Sequence, residues 1–359
     1  MTTKNTKDLP WQLRSASLEE INDWNNLVTN NPDGGNFLQT RAFAAIKLKE
    51  GWTPYYFIYE KESVVVAALA LTRSIFHGND LWYFPKGPGV PQKDFAAIVE
   101  ITRRYAELHN PNIFLIQMEP EWCEEAPPLS ILNIDMTRGI QAHASTVIVP
   151  LEPSINAIFD SLSKRARYGV RLGKRERVQI KSVAASEQNF HCMYALMKTV
   201  AGGKGVPGIR PYAYYRRFWQ THMASGMGRL YFAYEKGIPV VGAFAIVLGE
   251  KSFYKDGGST PLRESKGASY LLQWKIIQDM KEAGAMSYDM LGTPPSNRRG
   301  DVTHRLHGVG LFKTAFSKEV IDYHGVFNIP FSKWKYNLWK KWIYPLLCRV
   351  MRLRNRYFY

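Results

Sequence analysis

Three cysteines in 359 residues, Cys123, Cys192 and Cys348, are too few and too scattered for a disulfide framework or a thiolate metal site. A reducing compartment is the simplest home for them. No stretch reaches the roughly 18 uncharged apolar residues of a membrane-spanning helix. The polar opening, Met1 to Pro10, has no apolar core of signal-peptide length. The expectation is a chain that starts and stays on the cytoplasmic side. There is no Gly-x-Ser-x-Gly elbow and no Walker A phosphate loop, which disfavours the hydrolases and NTPases built on them. Asp301, His304 and His307 lie close together without a further well-spaced ligand, so no metal is expected.

What the chain does have is apolar and basic. Hydrophobic residues make up 45% and charged residues only 22%, which excludes disorder and allows two domains of ordinary size. Forty-seven Lys and Arg against thirty-one Asp and Glu leave a net charge of +16. That excess calls for a polyanionic partner: a nucleic acid such as tRNA, a phosphorylated substrate or an acidic membrane surface. Two segments concentrate it. Ser154 to Arg175 reads as one basic helix carrying most of the run KRARYGVRLGKRER (164–177), either a solvated face or an anion-facing surface. Asn328 to Tyr359 holds eight Lys or Arg and no acid. There Leu338, Trp339, Trp342, Ile343, Leu346, Leu347, Val350 and Met351 recur at helical spacing, and Pro345 should kink or interrupt the helix. Trp334, Trp339 and Trp342 beside Lys340 and Lys341 suit a helix lying in a membrane interface. Packing on the core, or binding tRNA phosphates, are the competing readings of this tail.

The chain also repeats. Residues 56–71 (YFIYEKESVVVAALAL) and 231–246 (YFAYEKGIPVVGAFAI) match at nine of sixteen positions, 175 residues apart. Each copy reads as a β-hairpin: strand, charged turn, apolar strand. Each follows a helix-like segment, 39–50 and 211–224, and precedes an aromatic strand with a Gly turn, LWYFPKG (81–87) and SFYKDGG (252–258). Amphipathic patterns at 94–109 and 267–283 come next, then short strands ending near an acid, IFLIQMEP (113–120) and MSYDMLG (286–292). Two series of elements in one order imply two similar α/β domains. The boundary is expected near 150, after the strand STVIVPLEP.

One small motif is ambiguous by itself. Arg305-Leu306-His307-Gly308-Val309-Gly310 has the Arg-x-x-Gly-x-Gly form of an acetyl-CoA pyrophosphate loop. Read further, YDMLGTPP (288–295) and HGVGLFKTAFS (307–317) resemble the closing motif of the Fem family of peptidoglycan-bridge aminoacyltransferases. FLQTRAFAAIK (37–47), YFPKGPGV (83–90), KRARYGVRLGKRERV (164–178) and FYKDGGST (253–260) follow in family order across almost the whole chain. The coiled-coil arm of longer members is missing.

The resemblance implies an α/β (α+β) fold of two tandem N-acetyltransferase-like (GNAT) domains with mixed sheets flanked by helices. The first would span 1–150 and be joined by a C-terminal segment at about 320–335. The second would span 151–319, and a basic amphipathic tail would occupy 333–359. The implied activity moves an amino acid from aminoacyl-tRNA onto the stem-peptide amine of a muramyl-pentapeptide precursor, lipid-linked (lipid II) or UDP-linked, with no cofactor. Lys313 matches the family lysine and is expected to stabilise the oxyanion, with Phe312 beside it. Lys47 and Arg210 match positions that hold the precursor's diphosphate in a cleft between the domains. Tyr214 and Tyr254 are expected to contact the muramyl-peptide or to pack. Glu119 and Asp289 are expected substrate contacts or structural caps. Without the arm, tRNA is assigned to Lys164, Arg165, Arg167, Arg171 and Lys174. The implied place is the inner face of the plasma membrane, as a peripheral protein on an anionic surface. CoA-dependent N-acylation through the Arg305–Gly310 segment, and a non-catalytic RNA- or membrane-binding module, remain the alternatives.

Overall fold

The computed structural model describes residues 11–76, 78–123, 134–141, 144–201, 209–354 and 356–359. The chain divides into two compact units, Met1–Gln141 with Tyr323–Tyr359, and Ala142–Asp322. In chain order the strands are β1 (Gln12–Ser15), β2 (Thr53–Lys61), β3 (Val64–Phe76), β4 (Asn79–Pro85), β5 (Ile113–Glu119), β6 (Asp135–Thr137), β7 (Ser145–Thr146) and β8 (Ile148–Pro150). They continue as β9 (Gln179–Val183), β10 (Gly228–Glu235), β11 (Ile238–Leu248), β12 (Lys251–Ser259), β13 (Ser287–Asp289), β14 (Ile321–Asp322) and β15 (Val326–Pro330).

The first sheet runs β1-β2-β3-β4-β5-β15-β6 and the second β9-β10-β11-β12-β13-β8. The repeated sequence forms the same hairpin in both, β2 with β3 and β10 with β11, because β-branched and aromatic residues alternate on either side of a tight turn. The turns take left-handed backbone at Glu62 in one copy and at Lys236 and Gly237 in the other. In each sheet the third hairpin-region strand meets the next parallel, β4 with β5 and β12 with β13. A helix makes each parallel crossover, Phe95–His109 and Ala268–Glu282. Both helices bury an apolar stripe, and each unit closes over its own core. Phe57, Trp82, Phe84 and Ile98 lie in the first core, and Ile276, Ile277, Tyr231 and Tyr288 in the second. Removing a large side chain from either costs about 3–5 kcal/mol. The architecture is the expected α/β one, with mixed sheets and flanking helices.

Two expectations need correcting. The strand before residue 150 does not finish the first unit: β8 pairs with β13 of the second sheet. In return β15, from beyond the second unit, pairs with β5 of the first. The last strands are thus exchanged along the chain. The single basic helix from Ser154 to Arg175 is two helices, Ile155–Ser161 and Lys164–Arg175. Extended backbone at Leu162 and Ser163 breaks it, and the Ser163 hydroxyl caps the second helix by accepting from Ala166 N at 3.1 Å.

Candidate functional site

The second unit holds a half-open cavity of about 640 Å³, within the usual range for small-molecule sites. Its wall joins strand β12 (Tyr254, Lys255, Gly257, Gly258), the helix Ala268–Glu282 (Ser269, Tyr270, Gln273) and the helix His307–Lys313 (Gly308, Phe312, Lys313). Arg165, Arg263 and Lys266 complete it, so five cations and no carboxylate stand among the described lining residues, with Lys255 paired to Asp256 at 3.1 Å. Such a lining fits an anion. The cavity depends on glycine at two points. A Cβ on Gly257 would sit 1.7 Å from the Tyr254 hydroxyl, and one on Gly258 would sit 2.4 Å from Leu196 backbone.

Lys313 is the buried cation of this wall. Its Nζ donates to Leu291 O, and to Gly292 O at 2.9 Å. The Tyr254 ring lies 5.5 Å away. Burial lowers the ammonium's pKa to about 7, opposed by the charge of Asp289. The carbonyl cage has a local cause. Leu291 adopts φ 51°, a left-handed conformation disfavoured for a side chain of its size, which turns the chain after β13. Asp289 holds that turn: its carboxylate accepts from Leu291 N at 2.7 Å and from the Thr146 hydroxyl. Asp289 is therefore a cap for the loop that cradles Lys313. Tyr254 has its hydroxyl's pKa raised by burial and bonds Gln273, which accepts from Tyr288 at 2.7 Å.

Of the remaining expected substrate contacts, Arg210 lies with its guanidinium 4.4 Å from the centre of the Tyr214 ring, at the start of the helix Tyr212–Ala224. Phe312 is half-buried and packs on Tyr270, with ring centres 5.1 Å apart. Lys47 and Glu119 belong to the first unit. Lys47 is 1% exposed, pairs with Glu50 at 3.0 Å and lies 4.1 Å from the Tyr359 ring. An expected anion contact is thus covered by its own chain. Glu119 is buried, accepts from Tyr83 at 2.5 Å and from Ile140 and Gln141 backbone, and burial raises its pKa. Those bonds make it a structural anchor for residues 139–141.

The helix Lys164–Arg175 uses its small residues, Ala166, Gly169 and Gly173, to pack on the helix Ala268–Glu282. Lys164, Arg165, Arg171 and Lys174 remain exposed. Arg167 does not: it donates to Leu162 O at 2.7 Å and to Asp160 O, closing the end of the preceding helix. The Arg305–Gly310 segment is no open loop. Its glycines begin a helix, and Gly310 N is committed to Leu306 O at 2.7 Å. Asp301 accepts from Arg298 and Thr303.

The tail divides in a way that periodicity alone did not resolve. Trp334 and Trp342 are exposed, but Trp339 is 4% exposed and packs on Phe114 and Phe358. It is an anchor to the first unit, not a membrane contact. Lys340 pairs with Asp135 at 2.6 Å, while Lys341 is exposed. Pro345 does not end the helix; a π turn, Trp339–Ile343, precedes it and the helix resumes at Tyr344–Leu353. Among the described residues no helix is long and apolar enough to cross a membrane. Arg263, Lys266, Lys255 and Gln273 were missed as site residues. The available signal was the basic stretch between the Gly-Gly end of β12 and the next helix.

The FemAB family model matches residues 224–342. The aminoacyltransferase FemA of Staphylococcus epidermidis is 29% identical over 105 residues, 29% of this chain and 24% of that protein. The matched part thus spans about a quarter of the relative's length. A solved structure of FemX shares the fold, with TM-score 0.77 at 16% identity over 91% of this chain and 99% of that one. The structure of L-PGS from Bacillus licheniformis matches more loosely, with TM-score 0.52 at 14% identity over 90% and 96%. The chain is thus similar to the FemAB family over residues 224–342, and the solved structures share its fold.

Proposed function

We propose that this chain is a Fem-type aminoacyltransferase that moves an amino acid from aminoacyl-tRNA to the stem-peptide amine of a peptidoglycan precursor. The observation that carries the proposal is a buried lysine, Lys313, at the wall of a cavity lined by four further cations. In this reading Arg165, Lys255, Arg263 and Lys266 hold phosphates of the tRNA end, and the aminoacyl ester lies beside Lys313. The acceptor amine attacks the ester carbonyl carbon. The C–N bond forms, the oxyanion accepts from the Lys313 ammonium, and the ester C–O bond breaks. The departing tRNA hydroxyl takes the proton released by the amine. The ester is already activated, so the step needs no ATP and no cofactor.

Gly257 leaves room for Tyr254 against the same wall, which orients the ester by packing rather than by acid–base work. Arg210 and Lys47 serve the precursor's diphosphate, Lys47 only after Tyr359 moves aside. The basic, Trp-bearing tail favours a lipid-linked acceptor at an anionic inner membrane face over a soluble nucleotide-linked one. Mass spectrometry of muramyl-peptide products after incubation with mixed charged tRNAs tests this. The expected result is a mass increment of one or more aminoacyl residues that is lost in Lys313→Ala. An unchanged product with every charged tRNA, alongside micromolar acetyl-CoA binding by calorimetry, would replace the proposal with CoA-dependent N-acylation.

A further inference from the structure

The first unit holds a second cavity, unrelated to Lys313. It is a groove of about 280 Å³ lined by Ile75, Asn79, Phe114, Trp334, Lys335, Leu338, Trp339 and Ile343. Six of these eight side chains are apolar. The two polar ones satisfy each other, because Lys335 Nζ donates to Asn79 Oδ1 at 2.8 Å. The groove therefore presents a hydrocarbon wall between the tail helix and the ends of β3 and β5. The π turn Trp339–Ile343 lies over it and sets Trp339 into the floor against Phe114. Such turns recur at functional sites.

The outer surface of the same tail is also apolar. Trp334, Leu338, Trp342, Leu346, Val350 and Leu353 are all exposed, at 67%, 43%, 70%, 62%, 38% and 81%. They form one stripe at three- and four-residue spacing, flanked by the exposed Lys341, Arg349 and Arg352, with no acid between Asn328 and Tyr359. A nucleic acid would answer the cations and leave that stripe in water. An apolar protein partner would cover the stripe and leave the cations uncompensated. An anionic bilayer answers both.

We infer that the groove under the tail takes an acyl chain of an anionic phospholipid, whose headgroup meets the basic flank of the helix. The inference rests on the membrane reading of the tail and adds a binding site to it. The stripe would lie in the headgroup region, and the groove entrance beside Leu338 and Trp334 would admit one chain from the leaflet.

The test uses the full chain with vesicles of phosphatidylglycerol and phosphatidylcholine, in which the phosphatidylglycerol carries a photoactivatable diazirine on one acyl chain. After illumination, peptide mass mapping locates the label. The expected label falls on Ile75, Phe114, Leu338 or Ile343. Filling the groove with Ile75→Trp, or making its mouth polar with Leu338→Gln, should each reduce that labelling roughly fivefold while vesicle sedimentation persists. Label confined to Trp342, Leu346 and Leu353 would overturn the groove and leave surface binding standing. Groove labelling unchanged in both variants would also overturn it. No sedimentation with anionic vesicles would remove the groove and the membrane reading together, whereas aminoacyl transfer to a soluble acceptor would be unaffected by any of these outcomes.

Discussion

Lys47 in the first unit and Lys313 in the second are both shut away from solvent, at 1% and 7% exposure, yet they are held by different partners. Lys47 has a carboxylate, Glu50, at 3.0 Å and two aromatic rings around its ammonium. Lys313 has two carbonyl oxygens and one ring. Asp289, the acid whose charge acts on it, is engaged with Thr146 and Leu291 N. A cation with its own counter-ion must loosen that pair before it can meet an anion. A cation held only by dipoles keeps a charge that another group can use, and burial brings its titration to about 7, where chemistry runs. The sheets share a strand order, so the difference comes from what each unit adds beyond its sheet: an aromatic cover over Lys47, a cation-lined cavity beside Lys313.

The largest effect should come from Lys313. Lys313→Ala is expected to lower kcat by about 10²–10³ with little change in KM for charged tRNA, as for loss of an oxyanion donor. Lys47→Ala should instead raise KM for the precursor and leave kcat within a few-fold. Steady-state kinetics of both variants decides it, and equal losses of kcat would erase the contrast. Next in size is a stability effect. Because the folded-state pKa of Lys313 lies at about 7, below its unfolded value, the unfolded chain binds the extra proton between those two values. Stability should therefore rise with pH from about 7 toward 10, and below about 7 the buried charge exerts its full penalty, on the order of a few kcal/mol. Lys313→Met should gain most in melting temperature at pH 6 and least near pH 10. A gain independent of pH would mean that Lys313 is not the titrating group.

Smaller again are the two glycines. Gly258→Ala pushes against Leu196 backbone, which cannot swing away, whereas Gly257→Ala meets the end of the Tyr254 side chain. The first should destabilise by about 1–3 kcal/mol. The second should destabilise less but displace Tyr254 and lower kcat. Thermal melts beside transfer assays separate them, and identical behaviour would show that Tyr254 has no part in the site.

Much of the fold was legible because it is written in short-range pattern. Period-two alternation gave both hairpins, and three- and four-residue spacing gave Phe95–His109 and Ala268–Glu282 to within two residues. That β8 joins the second sheet was not legible, since a strand of three residues carries no mark of the sheet it joins, whereas the resemblance had already implied a returning segment at about 320–335. At the site, the motif drew attention to Lys313 and Phe312. The cage could not be seen, because it depends on the left-handed turn at Leu291, a residue type that does not announce one. Trp339 and Trp342 looked alike in a helical pattern, and only the π turn that contains both decides which is buried.

The mildest change probes the cover over Lys47. Tyr359 stands 4.1 Å from the Lys47 ammonium and meets Tyr83 edge-on at 4.6 Å. Its neighbour Phe358 is fixed by carbonyl bonds from Trp52 at 3.1 Å and Arg73 at 3.0 Å. Tyr359→Leu keeps bulk and loses the ring's attraction for the cation, worth roughly 0.5–2 kcal/mol. The first unit should melt lower by about 1–4 °C. If the ring must leave before Lys47 can meet a diphosphate, the same substitution should lower KM for the precursor by roughly two- to threefold, since less attraction is broken on binding. A rise in KM would make Tyr359 part of the acceptor site, and the aromatic cover would then be a binding surface, the role proposed for the wall around Lys313.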